Sequence, residues 1–389
     1  MNITTSSKSE RKYFIDWLRI ILIFSVFLYH IGMYFNPWYW HVKTDITVEW
    51  LNDIMRFLHL WRMPLLFLVS GVGTFYALKH RTIKQYLKER TVRLYIPLTI
   101  GIFTLVPIQV YIEKITEYNS LGTFYLHMFD GIYPEGNFSW HHLWFLVYLF
   151  LIALIISPFL NYLRSEKFEV IRQRMIRVAS KPLGLNWVLF ILIGSQAILR
   201  EYFPDQTNAL YNDWAYFVYY FLFFLAGFIF ITDNNLVEHI KEQRRLYLVQ
   251  TIIATVFLFS ISSLFSNETL MDWLYGITGI VIGWSCSIAA LGYAKRYMNK
   301  NSKWRGILNE GIYPFYLLHQ PIIIVLGYYF KPVAMPVILK MIVMTLSSFA
   351  ISALLYWLLI KRFNVTRVMF GLKLKPSASK QEQRVALSK

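Results

Sequence analysis

The chain has 389 residues, 56% of them apolar, 18% aromatic and only 16% charged, and a formal net charge of +17. Charge this sparse, with apolar runs recurring from one end to the other, excludes a soluble globular domain and predicts an integral membrane protein. The basic surplus does not point to nucleic acid, because its placement along the chain follows membrane topology.

The expected fold is an all-α polytopic membrane protein of about ten transmembrane helices. They fall at roughly 14–35, 54–78, 94–113, 142–163, 184–202, 212–232, 246–266, 271–294, 311–329 and 334–360. The fifth is the most dilute, carrying Asn186, Gln196 and Arg200. One transmembrane domain (14–360) is thus flanked by a short N-terminal segment (1–13) and a basic tail (361–389) whose polar composition predicts disorder. With the N-terminus inside, the cytoplasmic stretches hold 31 of the 39 Lys and Arg, and the external ones four: Lys43, Lys114, Arg200 and Lys331. The asymmetry alternates correctly at every crossing, so both termini are expected in the cytoplasm, with the lipid bilayer as partner to the basic surface.

The first span carries the most telling pair. Arg19 lies near one mouth and His30 in the opposite half, eleven residues on, which returns to within about 20° of the same helix face after a rise of about 16 Å. Ionisable groups inside a span are costly and usually face a cavity or a partner, so a functional site is the first reading and a packing histidine the bland one. Asp16 sits just below Arg19. The span is too long for the core of a cleaved signal, and it ends in the bulky Met33, Tyr34 and Phe35.

Further along, aromatic residues crowd the first external loop (Trp38, Tyr39, Trp40) beside His41, as an interfacial belt or a sugar-stacking surface. His59 and Arg62 stand at the start of the second span. Arg90 and Arg93 open the third, and two forked guanidiniums at a membrane mouth suit phosphate groups, although ordinary cytoplasmic anchoring explains either one alone. His141 and His142 open the fourth. Glu310 precedes His319 in the ninth, where a carboxylate near the helix start would complement the helix dipole. The histidines suggest metal at first. However, no H-x-x-x-H or HExxH pair is present and no carboxylate accompanies them in sequence, so no metal is expected. Cys286 stands alone, excluding disulfides within one chain.

These segments, in this order, resemble the acyltransferase-3 family of integral membrane acyltransferases, and within it the periplasmic-glucan succinyltransferase branch. The resemblance rests on RKYFIDWLRIILIFSVFLYH with its Arg-x10-His (Arg19, His30), WYWHVKT, NDIMRFLHLWRMPLLFLVSG, KERTVRLYIP with Arg90 and Arg93, HLWFL, and NEGIYPFYLLHQPIII. It covers about residues 10 to 330, although the middle spans, 184–294, offer little to match. It implies transfer of an acyl group, such as succinyl or acetyl, from cytoplasmic acyl-CoA to a hydroxyl of an extracytoplasmic glycan at the cell membrane. No tightly bound cofactor is implied, since acyl-CoA is a substrate. On this resemblance His30 is the catalytic base or a transiently acylated nucleophile, and Arg19, Arg90 and Arg93 hold the donor. His59, Arg62, His142 and His319 hold the acceptor or the oxyanion, and Asp16 and Glu310 lend structural support. The competing reading is a secondary transporter or exporter, which also uses mid-membrane His and Arg. It would call for paired, broken spans in matching halves, and none are visible.

Overall fold

The computed structural model describes residues 12–78 and 81–375. Among these the regular elements are all helices, with one isolated bridge between Ile132 and Phe138. In chain order they are α1 (Tyr13–Phe35), α2 (Leu51–Leu78), α3 (Ile83–Glu113), a short unnumbered helix (Leu121–Leu126), α4 (His141–Leu163), α5 (Glu166–Ala179), α6 (Gly184–Leu199) and α7 (Trp214–Ile229). Then follow α8 (Asn234–Leu264), α9 (Glu268–Tyr297), α10 (Lys303–Phe330), α11 (Val337–Ile360) and α12 (Asn364–Met369). Eight are long and apolar enough to cross a membrane: α1 to α4 and α8 to α11.

The fifth and sixth expected spans are the correction. The regular α-helix within α6 has 13 residues and α7 has 16, which at 1.5 Å per residue reach about 20 and 24 Å, short of a hydrocarbon core of about 30 Å. Helix α6 is long and apolar enough to cross only together with α5, as a pair bent by 117° that forms a broken span or a re-entrant loop. The bend is built into the link: Leu183 adopts a left-handed φ of 52°, and a side chain on Gly184 would start 2.4 Å from the Val178 carbonyl oxygen.

Two compact units share the chain. The first holds Met1–Val26, Asp53–Thr82 and Pro158–Asn309, and the second holds Phe27–Asn52, Ile83–Ser157 and Glu310–Lys389. In the first, α8 and α9 pair along their length, and Leu258, Ile261 and Ile282 bury against Phe57 and Leu60 of α2. Helices α2 and α7 approach until backbones touch. A Cβ on Gly71 would lie 2.0 Å from Phe224 O, and one on Gly227 would lie 1.9 Å from Leu68 O. Small residues at such crossings replace the hydrophobic drive that lipid cannot supply. Gly227→Ala is therefore expected to lower stability by about 1–3 kcal/mol or more, read as a drop in thermal midpoint in detergent. Gly194→Ala, with nothing within 4 Å, should leave it unchanged.

In the second unit, prolines break the helical ladder and side chains repair it. A proline has no N–H to offer the carbonyl four residues back, and in lipid that oxygen must find another donor. Pro97 leaves Arg93 O, which accepts from the Tyr313 hydroxyl at 2.7 Å. Pro107 leaves Phe103 O, which accepts from Tyr125 at 3.0 Å. Pro321 leaves Leu317 O, which lies 3.1 Å from His142 Nε2. Residues 361–375 depart from the disorder expected of the tail. They carry α12, where buried Arg367 binds the carbonyl of Lys373 (2.6 Å) and the carboxylate of Glu310 (3.0 Å). Residues 376–389 and 1–11 lie outside the described residues.

Candidate active site

His30, on the C-terminal half of α1, is hydrogen-bonded through Nδ1 to Nε2 of His319 at 2.8 Å. His319 Nδ1 in turn lies 2.6 Å from the Tyr316 carbonyl oxygen. These two contacts settle the proton order in the neutral pair. A carbonyl only accepts, so His319 carries its proton on Nδ1 and presents a lone pair at Nε2. His30 must then donate from Nδ1, which leaves its own lone pair on Nε2. The arrangement is that of a base oriented by a second group, here a buried imidazole (0% exposed) in place of a carboxylate.

The walls are aromatic. The Trp40 indole stacks on the His30 ring at 6.3 Å and 16°, and Phe27 and Phe315 pack against His319. Trp40 is held there because Lys43 gathers its loop, donating to the carbonyls of Met33 (3.1 Å), Trp38 (2.6 Å) and Asn36. Burial lowers the Lys43 pKa from its ordinary value. The aromatic crowd of the first loop thus divides: Tyr39 is 76% exposed, as a belt residue would be, whereas Trp40 is buried over the histidine.

His142 and His319 were expected to face an acceptor or an oxyanion, and the structure engages both rings elsewhere. The ring of His142 lies 5.6 Å from that of His319. Its Nε2–H donates to Leu317 O, and Nδ1 lies 3.5 Å from Gln109 Nε2. Gln320 donates to Gln109 Oε1 at 3.0 Å, and the Tyr316 hydroxyl donates to the carbonyl of His142. His142 therefore fastens α4 to the proline-broken turn of α10.

The remaining candidates fall into two groups. In the first unit, Asp16 binds Arg305 at 2.5 Å and Arg19 at 3.7 Å, and Arg19 reaches Asn309 at 3.5 Å. Also there, His59 Nε2 pairs with Gln206 Oε1 at 3.0 Å, Gln206 donates to the Tyr220 hydroxyl at 3.0 Å, and Arg62 is buried nearby on α2. In the second unit, Arg90 lies over the Tyr86 ring at 4.9 Å and Arg93 pairs with Glu89 at 3.3 Å. Directly after Arg90 the helix widens into a π turn, Thr91–Tyr95, that contains Arg93, a device common at functional sites. Glu310 is not at a helix start, because α10 begins at Lys303. Its partner is Arg367, not the helix dipole.

Sequence reading missed one cluster. Glu113, the last residue of α3, lies 2.7 Å from His41 Nδ1, and the His41 ring stacks on His141 at 4.4 Å. A carboxylate therefore does accompany the histidines, contrary to expectation. The three positions are far apart in sequence, and the only available cue was that all end or flank spans on the same predicted side. The hydroxyls of Tyr39 (2.7 Å) and Tyr133 (3.0 Å) both donate to Glu113 Oε1. Burial first, and then the carboxylate beside them, raise both phenols above their ordinary pKa and keep them protonated donors.

A family model described as an acyltransferase domain (Acyl_transf_3) matches residues 12–357. Glucans biosynthesis protein C of Escherichia coli (strain K12) is 22% identical over 343 residues, covering 83% of this chain and 85% of that protein. The same figures hold for Glucans biosynthesis protein C of Shigella dysenteriae serotype 1 (strain Sd197). No solved structure matches. With the match extending over most of the chain and eight helices long enough to span a bilayer, the protein belongs to the acyltransferase-3 family and is a multi-pass membrane acyltransferase.

Proposed function

We propose that the protein is an O-acyltransferase of the cell membrane. It moves an acyl group, such as succinyl or acetyl, from cytoplasmic acyl-CoA to a hydroxyl of an extracytoplasmic glycan, and both its termini are cytoplasmic. The observation that carries this reading is the ordered chain Tyr316 O, His319, His30, which puts a basic lone pair on His30 Nε2. Family membership supplies the reaction class, and the name of the relatives supports a glycan as acceptor.

In this mechanism His30 Nε2 takes the proton of the acceptor hydroxyl while that oxygen attacks the thioester carbonyl. The tetrahedral centre then collapses, the C–S bond breaks, and the departing thiolate recovers the proton from His30. His319 orients the base and shares the positive charge through its hydrogen bond, and Trp40 shields it from water. His142 keeps the adjoining turn of α10 in place. His59 and Arg62 remain the groups for acceptor or oxyanion. On the donor side, Arg19, Arg90 and Arg93 bind phosphate oxygens; Arg19 stands about 16 Å along α1 from His30, a span suited to an extended pantetheine arm.

The test is conversion of labelled acyl-CoA and glycan to acylated product by proteoliposomes containing the purified protein, the product's mass increment naming the acyl group. Arg90→Ala and Arg93→Ala should each raise the donor KM roughly tenfold, the worth of one charge-assisted contact, with the acceptor KM little changed. A rise in the acceptor KM alone would remove them from the donor site.

A further inference from the structure

We propose that His41, Glu113 and His141 bind one divalent transition-metal ion of the zinc type, and that this ion positions the aromatic and imidazole walls around His30. The inference goes beyond acyl transfer and does not depend on it. One ligand atom from each of the three residues lies within 4.8 Å of the others. Tetrahedral zinc with bonds of about 2.1 Å sets its ligands about 3.4 Å apart, so small rotations of three side chains close the site. Two imidazoles and a carboxylate are a familiar zinc set that leaves a fourth position for water.

The supporting shell is already organised. His141 Nε2 is buried without a hydrogen-bond partner, a state that native proteins avoid unless the atom has another use. Its Nδ1 lies 2.7 Å from Ser139 Oγ, which also accepts the His141 backbone N–H at 3.0 Å. A hydroxyl has two lone pairs, so it can accept from both and leave Nε2 as the ligand atom. The backbone of His141 is held at a φ of 39°, in the left-handed region that few non-glycine residues adopt. At Glu113, Tyr39 and Tyr133 anchor Oε1 while Oε2 faces His41. Binding the ion replaces the His41–Glu113 hydrogen bond and releases the proton shared there.

The consequence for the site follows from chain neighbours. His41 follows Trp40, which stacks on His30, and His141 precedes His142, whose ring lies 5.6 Å from His319. An ion holding His41 and His141 would fix both walls at once.

The experiment uses the full chain, untagged and in detergent, stripped with chelator and then titrated with Zn²⁺ against a fluorescent competitor. One zinc per chain is expected, with a rise in thermal midpoint, and Co²⁺ should give visible absorption of a low-coordinate nitrogen and oxygen site. Glu113→Gln and His141→Ala should each weaken zinc binding by about 100-fold or more, and His127→Ala, outside the trio, should not. Glutamine keeps the oxygen that accepts from the two tyrosines, so if His141→Ala does not fold, Glu113→Gln decides alone. Absence of stoichiometric zinc in the wild type, or unchanged affinity in Glu113→Gln, overturns the proposal.

Discussion

Replacing His30 with alanine is expected to cut acyl transfer by about 10²–10⁴-fold, the contribution usual for a general base, without loss of the folded protein. Its removal takes away the hydrogen bond to His319 and the stacking face of Trp40, and leaves the aromatic and aliphatic walls of the helices in place. Free imidazole in the assay should restore part of the rate in His30→Ala by filling the space with the same base. His319→Ala should behave differently. His30 remains, but with no acceptor for its Nδ1–H the ring is free to adopt either tautomer. The kcat then falls less than in His30→Ala, KM for both substrates changes little, and added imidazole does not rescue. Wild-type activity in well-folded His30→Ala would falsify the assignment of the base.

Asp16→Ala should act on stability and not on chemistry. The Asp16 carboxylate stands between Arg19 (3.7 Å) and Arg305 (2.5 Å), and the Arg305 side chain is only 8% exposed. Arg305 is otherwise held by Asn301 Oδ1, at 3.0 Å from Nη2, which supplies a dipole but no charge. Removing the carboxylate leaves two guanidiniums near each other and one of them buried, a change that typically costs about 3–5 kcal/mol. The measurement is the thermal midpoint in detergent together with the yield of folded protein. The double variant Asp16→Ala with Arg305→Met should recover much of the loss, because it removes the buried charge along with its partner. A stable Asp16→Ala protein would show that the cluster contributes nothing to the fold.

Much of this was legible in the residues because membranes restrict the choices. Apolar length set eight of the spans, and the return of Arg19 and His30 to one helix face needed only the pitch of α1. What sequence could not supply was tertiary pairing. His319 looked like one more acceptor-side histidine, because nothing local says that its Nε2 meets His30. Glu113 escaped notice for the same reason, since its partners come from the loop after α1 and from the start of α4. The dilute fifth span departs for a local reason that was visible: its regular helix runs only from Trp187 to Leu199, with the polar Asn186, Gln196 and Arg200 at or near its ends. Glu310 was misread because the helix begins a full two turns before it.

The repair of Leu317 by His142 ties two distant substitutions to one another. Restoring an N–H at position 321 would return that oxygen to its own helix and compete with the imidazole for it. A ring so displaced could exchange its tautomer and loosen the Gln109 and Gln320 contacts behind it. Straightening α10 would therefore be no simple gain in regularity. Substitutions at positions 142 and 321 are expected to be non-additive, because both act on the one carbonyl oxygen of Leu317.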